Sequence, residues 1–320
     1  MKWSVKAPAN IALIKYMGKA PGNQNIPLNA SLSYTLPELL TYVELEDNTH
    51  TDAPAEDRWE PLHTESGFIP HVFSEAAQNR FLNHLNLIKR EFDCNTTFTV
   101  RSANNFPHSA GLASSASSFA ALTQAAVQAC AACTNTPLPS LTDQAALSRK
   151  GSGSSCRSFF EPWALWDKTQ VSGIELPYPT LIHQVILVQA AEKKVSSSEA
   201  HRRVSRLPEY PARKIRAEKN LDALMHAFQN KAWDEAYQIS FREFQDMHNL
   251  FAASEPAFSY ITPQAQALLD MLQDAWKNQG DGPLITMDAG PNIHLLYRPD
   301  QVQLADAFKL QAMEHQLHVL

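Results

Sequence analysis

His108-Ser109-Ala110-Gly111-Leu112-Ala113-Ser114-Ser115-Ala116-Ser117 is a run of small residues with a single glycine, set between two different periodicities. Before it, Thr97 to Ser102 is β-branched and alternating, the pattern of a strand. After it, Ser118 to Ala132 is Ala-rich and free of breakers, which predicts a long helix. A strand, a small-residue loop and a helix start follow one another in this way where a chain builds a phosphate cradle. The first N–H groups of a helix lack partners and carry about half a positive charge, and small side chains let phosphate oxygens approach. The serine hydroxyls can reach phosphate or a bound Mg²⁺. Serine is also a favoured N-cap, so this stretch alone fits an ordinary capped helix equally well.

At 320 residues the chain can bury a sizeable core, and two lobes are expected because single cores stop growing near ~250–300 residues. A hydrophobic content of 44% is that of a globular protein, and a net charge of −6 with scattered Lys and Arg argues against nucleic acid as a partner. No apolar run approaches the ~20 residues that cross a bilayer, and Met1 to Lys6 alternates like a strand instead of a secretory leader. Neither a membrane nor export is therefore expected. Cys94, Cys130, Cys133 and Cys156 form no disulfide framework. Cys130 and Cys133 make a C-x-x-C inside the Ala-rich helix with no second pair nearby, so they read as small core residues in a reduced, cytoplasmic setting.

The elements alternate between helix and strand. Strands are expected at Trp3–Ala7, Tyr42–Leu45, Thr97–Ser102 and Ile182–Val188, and helices at Ser74–Phe92, Ser115–Ala132 and Leu141–Lys150. Asp47 to Ser66 is polar and aperiodic, an exposed loop or irregular hairpin. Further helices are expected from Pro211 to about Phe228, from Trp233 to about Leu250, and from Pro263 to Asn278, the last capped by Thr262 and ended by Gly280. Leu284–Met287 and Ile293–Tyr297 form a hairpin about Asp288-Ala289-Gly290-Pro291-Asn292, and Pro299 opens a last helix. A soft boundary falls near Pro177–Thr180.

Four other segments carry candidate chemistry. Lys15, in Ala7-Pro8-Ala9-Asn10-Ile11-Ala12-Leu13-Ile14-Lys15-Tyr16-Met17-Gly18-Lys19, follows an apolar run, where a lysine usually needs a partner. In Gly151-Ser152-Gly153-Ser154-Ser155-Cys156-Arg157-Ser158, hydroxyl and backbone donors precede an arginine whose planar fork suits a carboxylate or phosphate, although Gly and Ser also make flexible linkers. Glu192-Lys193-Lys194-Val195-Ser196-Ser197-Ser198 follows a buried strand and fits a solvated loop as well as a site. Asp288 opens a glycine-containing turn, where it could simply bond its own backbone. Five of the ten glycines lie in these segments and the first run, and where glycine is scarce such clustering marks unusual backbone angles or a close ligand.

Taken together and in this order, the Ala7–Lys19 segment, Asn104-Asn105-Phe106-Pro107 with Gly111–Ala116, Gly151–Ser158, Glu192-Lys193-Lys194 and Met287–Asn292 resemble the diphosphomevalonate decarboxylases, a branch of the small-molecule (GHMP) kinases. The glycine-leucine-serine loop alone would indicate only the wider group; the Lys15, Arg157 and Asp288 segments single out the branch. The resemblance implies an α+β, two-lobed fold. Residues 1–180 would form an N-terminal α/β ATP-binding lobe of ribosomal-S5-like topology, and residues 181–320 a ferredoxin-like C-terminal α+β lobe, with the site between them. It implies ATP-dependent decarboxylation of mevalonate 5-diphosphate to isopentenyl diphosphate, with ATP and Mg²⁺ as cofactors, and a homodimer. The rivals are a kinase that stops after phosphorylating a mevalonate derivative and a catalytically silent nucleotide-binding protein.

The resemblance also assigns roles. Asp288 would face the 3-hydroxyl, Lys15 would stand beside it, and Arg157 would grip the substrate carboxylate. Ser197 would lie near the reacting phosphate, with Ser196 and Ser198 as alternatives. Tyr16, Lys19, Ser152, Gly153 and Ser154 would hold the diphosphate end. Asn105 and the loop residues Ser109, Ala110, Gly111, Leu112, Ala113, Ser114, Ser115 and Ser117 would hold the nucleotide phosphates, and no metal ligand is named. Three departures stand out: Met17 where the family commonly has Trp, Phe159-Phe160 and Glu161-Pro162 where a Gly-Gly is frequent, and Ala200-His201 where Gly-Met often follows the serine run.

Overall fold

The computed structural model describes residues 1–320 apart from 23, 49–55, 65–66, 108–113, 189–194 and 316. The first sheet is built on two long antiparallel strands, β1 (Lys2–Ile14) and β2 (Ser31–Asp47). β1 runs well past the expected Ala7. Pro8 does not end it but sits at a register shift, one of the few places where a strand tolerates proline. Beyond it Ala9 to Ile14 is buried throughout, so this stretch, apolar but for Asn10, belongs to a strand covered on both faces. The other strands of this sheet are β3 (Arg58–Pro61), β4 (Ile69–Pro70), β5 (Phe98–Asn104), β6 (Trp163–Asp167) and β7 (Gln170–Ile174). Their order is β3-β5-β2-β6-β7, with β1 on β2 and β4 on β5. The β6–β7 hairpin is not among the elements expected from the sequence, and β3, parallel to β5, lies within the segment expected to be a loop.

Three helices follow the expected bounds closely: α1 (Glu75–Glu91, capped by Ser74), α2 (Ser114–Thr134) and α3 (Leu141–Gly151). They pack on one face of the first sheet around Val43, Val100, Phe81, Phe119 and Cys130. The Gly-Ser stretch is no linker, since Gly153–Phe159 forms a 3-10 turn pinned by a 2.6 Å bond between the Ser148 and Ser155 hydroxyls.

The second sheet comprises β8 (Ile182–Leu187), β9 (Leu284–Met287), β10 (Ile293–Tyr297) and β11 (His318–Val319), in the order β11-β8-β10-β9 and all antiparallel. Around it lie α4 (Ser197–Val204), α5 (Tyr210–Gln229), α6 (Trp233–Ala253), α7 (Pro263–Gln279) and α8 (Val302–Glu314). α7 ends as expected on Gly280, whose left-handed φ of 69° suits glycine. One apolar core joins Ile11, Leu13 and Leu32 of the first sheet to Met287 and Leu295 of the second and to Phe244 of α6 and Leu269 of α7. The ends of β1 and β9 are thereby fixed against each other. Among the described residues no helix is long and apolar enough to cross a membrane.

Candidate active site

The end of β1 leads directly into the site. Past Ile14 the backbone of Lys15 has no ladder partner, and side chains replace it: Glu243 of α6 accepts its N–H at 3.0 Å and Asn29 donates to its carbonyl at 2.9 Å. Glu243 is fully buried, held in turn by Arg213 and, at 2.7 Å, by Asn220 of α5. The Lys15 side chain is 2% exposed and its ammonium lies 2.9 Å from the Asp288 carboxylate, on the turn between β9 and β10. The Asp288 carbonyl is held by His248 of α6 at 3.1 Å, so one helix fixes the backbones of both partners. Burial pulls the Lys15 pKa below its ordinary value, opposed by Asp288. Burial alone would raise the Asp288 pKa, but Lys15 and then His294 outweigh it and hold the carboxyl below its usual range.

This pair opens into a cavity of about 440 Å³. Arg157 reaches it from the 3-10 turn, with Nε on Asn10 at 3.1 Å and Nη1 on Ser31 at 3.0 Å, which leaves one arm of its fork unassigned among the described residues. Asn10 also bonds Ser158 and the Ser154 carbonyl, tying the arginine and its turn to β1. Tyr16 packs between Trp166 and His201, with ring centroids at 4.5 and 4.4 Å. Gly153 lies against it, and an added Cβ would come within 2.7 Å of the tyrosine ring. Lys19, Ser152, Gly153 and Ser154 line the cavity as well, as do Ser114 and Ser115 from the first turn of α2.

The placement differs for the remaining expected residues. Ser196, Ser197 and Ser198 all border the cavity, but the Ser196 hydroxyl is occupied, accepting the Glu199 N–H as the cap of α4. The serine run is therefore a helix start instead of a loop. Asn105 is not brought to the cavity: its amide bonds the Leu40 N–H and the Glu38 carbonyl on β2. Ser117 is also turned away, buried against Thr41 at 2.7 Å. Ser109, Ala110, Gly111, Leu112 and Ala113 fall outside the described residues. Sequence reasoning misses Arg80, which lines the cavity from α1 and donates to the Gly151 carbonyl at 2.8 Å. It also treats Ala200-His201 only as a departure, although His201 is part of the wall. A lone arginine in a helix and a lone histidine after a serine run give no signal of where they converge.

Residues 7–173 match the diphosphomevalonate decarboxylase-like N-terminal domain, and residues 184–317 match the mevalonate 5-diphosphate decarboxylase C-terminal domain. The chain belongs to the diphosphomevalonate decarboxylase family. A mevalonate diphosphate decarboxylase from Legionella pneumophila is 52% identical, with full coverage of both chains and a TM-score of 0.92. The structure of MDDEF with MVAPP, AMPPCP and magnesium is 30% identical over 100% of this chain and 96% of that one, with a TM-score of 0.84. The diphosphomevalonate decarboxylase of Gibberella zeae is 27% identical over 97% of this chain and 85% of its own length. In this family member two of the three departures have structural partners: Met17 packs with Ala200, Val204, Tyr210 and Met247, and His201 accepts the Gly18 N–H at 2.9 Å.

Proposed function

We propose that this chain phosphorylates the tertiary 3-hydroxyl of mevalonate 5-diphosphate with ATP and then releases phosphate and carbon dioxide, leaving isopentenyl diphosphate and ADP. The observation that carries the reading is the Lys15–Asp288 pair at 2.9 Å, opening with Arg157 into one cavity. Asp288, kept ionised, orients the 3-hydroxyl and takes its proton. A carboxylate is a weak base for an alcohol, but in a loose phosphoryl-transfer transition state the nucleophile loses its proton late, so position matters more than basicity. Lys15 keeps Asp288 charged and offsets negative charge on the transferring group. The free arm of Arg157 holds the substrate carboxylate so that its C–C bond lies opposite the 3-phosphate. As that bond breaks, its electron pair forms the alkene and the phosphate departs. The grip must orient the carboxylate without holding it so tightly that it cannot leave.

Ser114 and Ser115, at the start of α2, stand where nucleotide phosphates would meet helix N–H groups. Among the described residues no group of three metal-ligating side chains gathers, which suits Mg²⁺, an ion held largely by phosphates and water. When bound with the nucleotide it supplies charge neutralisation of the triphosphate. Tyr16, Lys19, Ser152, Gly153, Ser154 and Arg80 receive the diphosphate, and Ser197 or Ser198 faces the reacting phosphate. In this reading residues 1–180 carry the nucleotide and residues 181–320 supply Asp288. The reading extends to a cytoplasmic homodimer, supported by four unpaired cysteines for the compartment and by the family resemblance for the dimer. Purified protein with ATP and mevalonate 5-diphosphate is expected to give equal amounts of ADP, phosphate and carbon dioxide. Phosphorylated product without gas would replace this reading with a kinase, and sedimentation tests the dimer.

A further inference from the structure

His201 stands in the last turn of α4 with its ring against Tyr16 and is 7% exposed where it borders the cavity. Its Nδ1 lies 2.9 Å from the Gly18 backbone nitrogen. A backbone N–H can only donate, so Nδ1 accepts and is unprotonated, and the single proton of the neutral ring sits on Nε2. Burial, followed by the charges of Lys19 and Arg157, pushes the imidazole pKa well below its ordinary value, so the ring stays neutral. Gly18 is suited to this contact. Its φ of 87° favours glycine, and an added Cβ would fall 2.0 Å from the Tyr210 hydroxyl, which itself donates to the Met17 carbonyl at 2.7 Å. The turn that presents the N–H is therefore fixed. No partner of His201 Nε2 is found among the described residues, and the two cations whose charge acts on the ring, Lys19 and Arg157, line the same cavity.

We infer that His201 is a substrate-binding residue, donating its Nε2–H to the 5-diphosphate beside Lys19. The inference rests on the function proposed above. A neutral donor there adds a directional bond without adding a further charge to a wall already rich in cations. It also gives the Ala200-His201 departure a purpose, since methionine at this place has no donor.

Three variants separate binding from scaffolding. His201→Met is expected to raise the KM for mevalonate 5-diphosphate about ten- to a hundredfold, the usual weight of a hydrogen bond to a charged group, with the KM for ATP nearly unchanged. His201→Asn places an acceptor near the Nδ1 position, keeping the Gly18 contact while losing the donor, and is expected to resemble the Met variant. His201→Gln places an amide N–H near the Nε2 position and is expected to recover most of the loss. If Asn recovers KM and Gln does not, His201 only holds the Gly18 turn and the inference is overturned; equal KM in all three overturns it as well. The measurements presuppose wild-type release of carbon dioxide, so failure of the wild type strikes the function itself, and failure of this pattern alone strikes only His201.

Discussion

Two groups of basic side chains in this molecule are built on opposite plans. Between α5 and α6, Arg213 is 1% exposed and closes on Glu243, with Asp246 also within ion-pair distance. Around the cavity, Lys19, Arg80 and Arg157 have no carboxylate within ion-pair distance among the described residues. A buried charge without a counter-ion is costly, so Arg213 is neutralised from within, whereas Arg157, buried at the cavity wall, suits an anion from outside. Glu243 joins the two. The oxygen that meets Arg213 also accepts the backbone N–H of Lys15, so this ion pair helps to set the position of the Lys15–Asp288 pair.

The harshest test of the contrast is at Asp288, the carboxylate that lines the cavity among the described residues. Asp288→Asn keeps the shape of the turn but gives up the charge beside Lys15 and the proton acceptor. Turnover should fall roughly 10²–10⁴-fold, with little change in the KM for ATP. Steady-state kinetics of the variant check this, and near-normal turnover would remove Asp288 from the chemistry.

The Arg213–Glu243 pair should fail through stability instead. Glu243→Gln leaves Arg213 with Asp246 as its remaining counter-ion, and an unfolding free energy lower by up to about 3–5 kcal/mol is expected. Replacing both residues with Glu243→Gln and Arg213→Met should recover most of that loss, as read by urea denaturation. If the single variant is as stable as the wild type, the pair is not the anchor that the geometry makes it.

At the receptor end, Arg157→Lys retains the charge but not the fork. Nε and Nη1 are already committed to Asn10 and Ser31, so a lysine cannot hold those partners and the substrate carboxylate together. Decarboxylation should slow about ten- to a hundredfold, measured as carbon dioxide release. Should phosphorylation slow by less than gas release, the grip on the carboxylate is separated from the first step.

The amino-acid sequence shows the two plans unevenly. Local signals are clear where one residue fixes one backbone state: Ser74 caps α1, Thr262 caps α7 and Gly280 ends it. Proline misleads where a register shift absorbs it, so that β1 reads as stopping at Ala7 although it continues to Ile14. The cap of α4 is present as Ser196 and Glu199, three apart, but it is hidden inside a serine run. Asn105 reads as part of the phosphate loop because it lies beside it, whereas the backbone at Glu38 and Leu40 claims its amide. The motif residues Lys15, Arg157 and Asp288 carry a recognisable local pattern. Arg80, Glu243 and His201 do not, because their roles come from side chains that meet only when α1, α4 and α6 pack against the first sheet.

The smallest expected effect probes the receptor before it is filled. Burial, then the neighbouring charges of Arg80 and Arg202, lower the Lys19 ammonium pKa to about 8. A lysine with a lowered pKa is charged below that value and neutral above it, so attraction for the diphosphate is present at lower pH and lost as pH rises through 8. The KM for mevalonate 5-diphosphate should therefore be level up to neutrality, about twofold higher at about pH 8 than at about pH 7, and then climb with pH. A bound diphosphate favours the charged amine, so in the complex the pKa moves up and turnover at saturation holds to higher pH. Arg80→Ala removes one of the causes, and the break in KM should move toward the ordinary lysine range even as the KM itself rises. A break that stays at the same pH in the variant would mean that Arg80 and Lys19 do not share one anion, and the receptor would have to be drawn without α1.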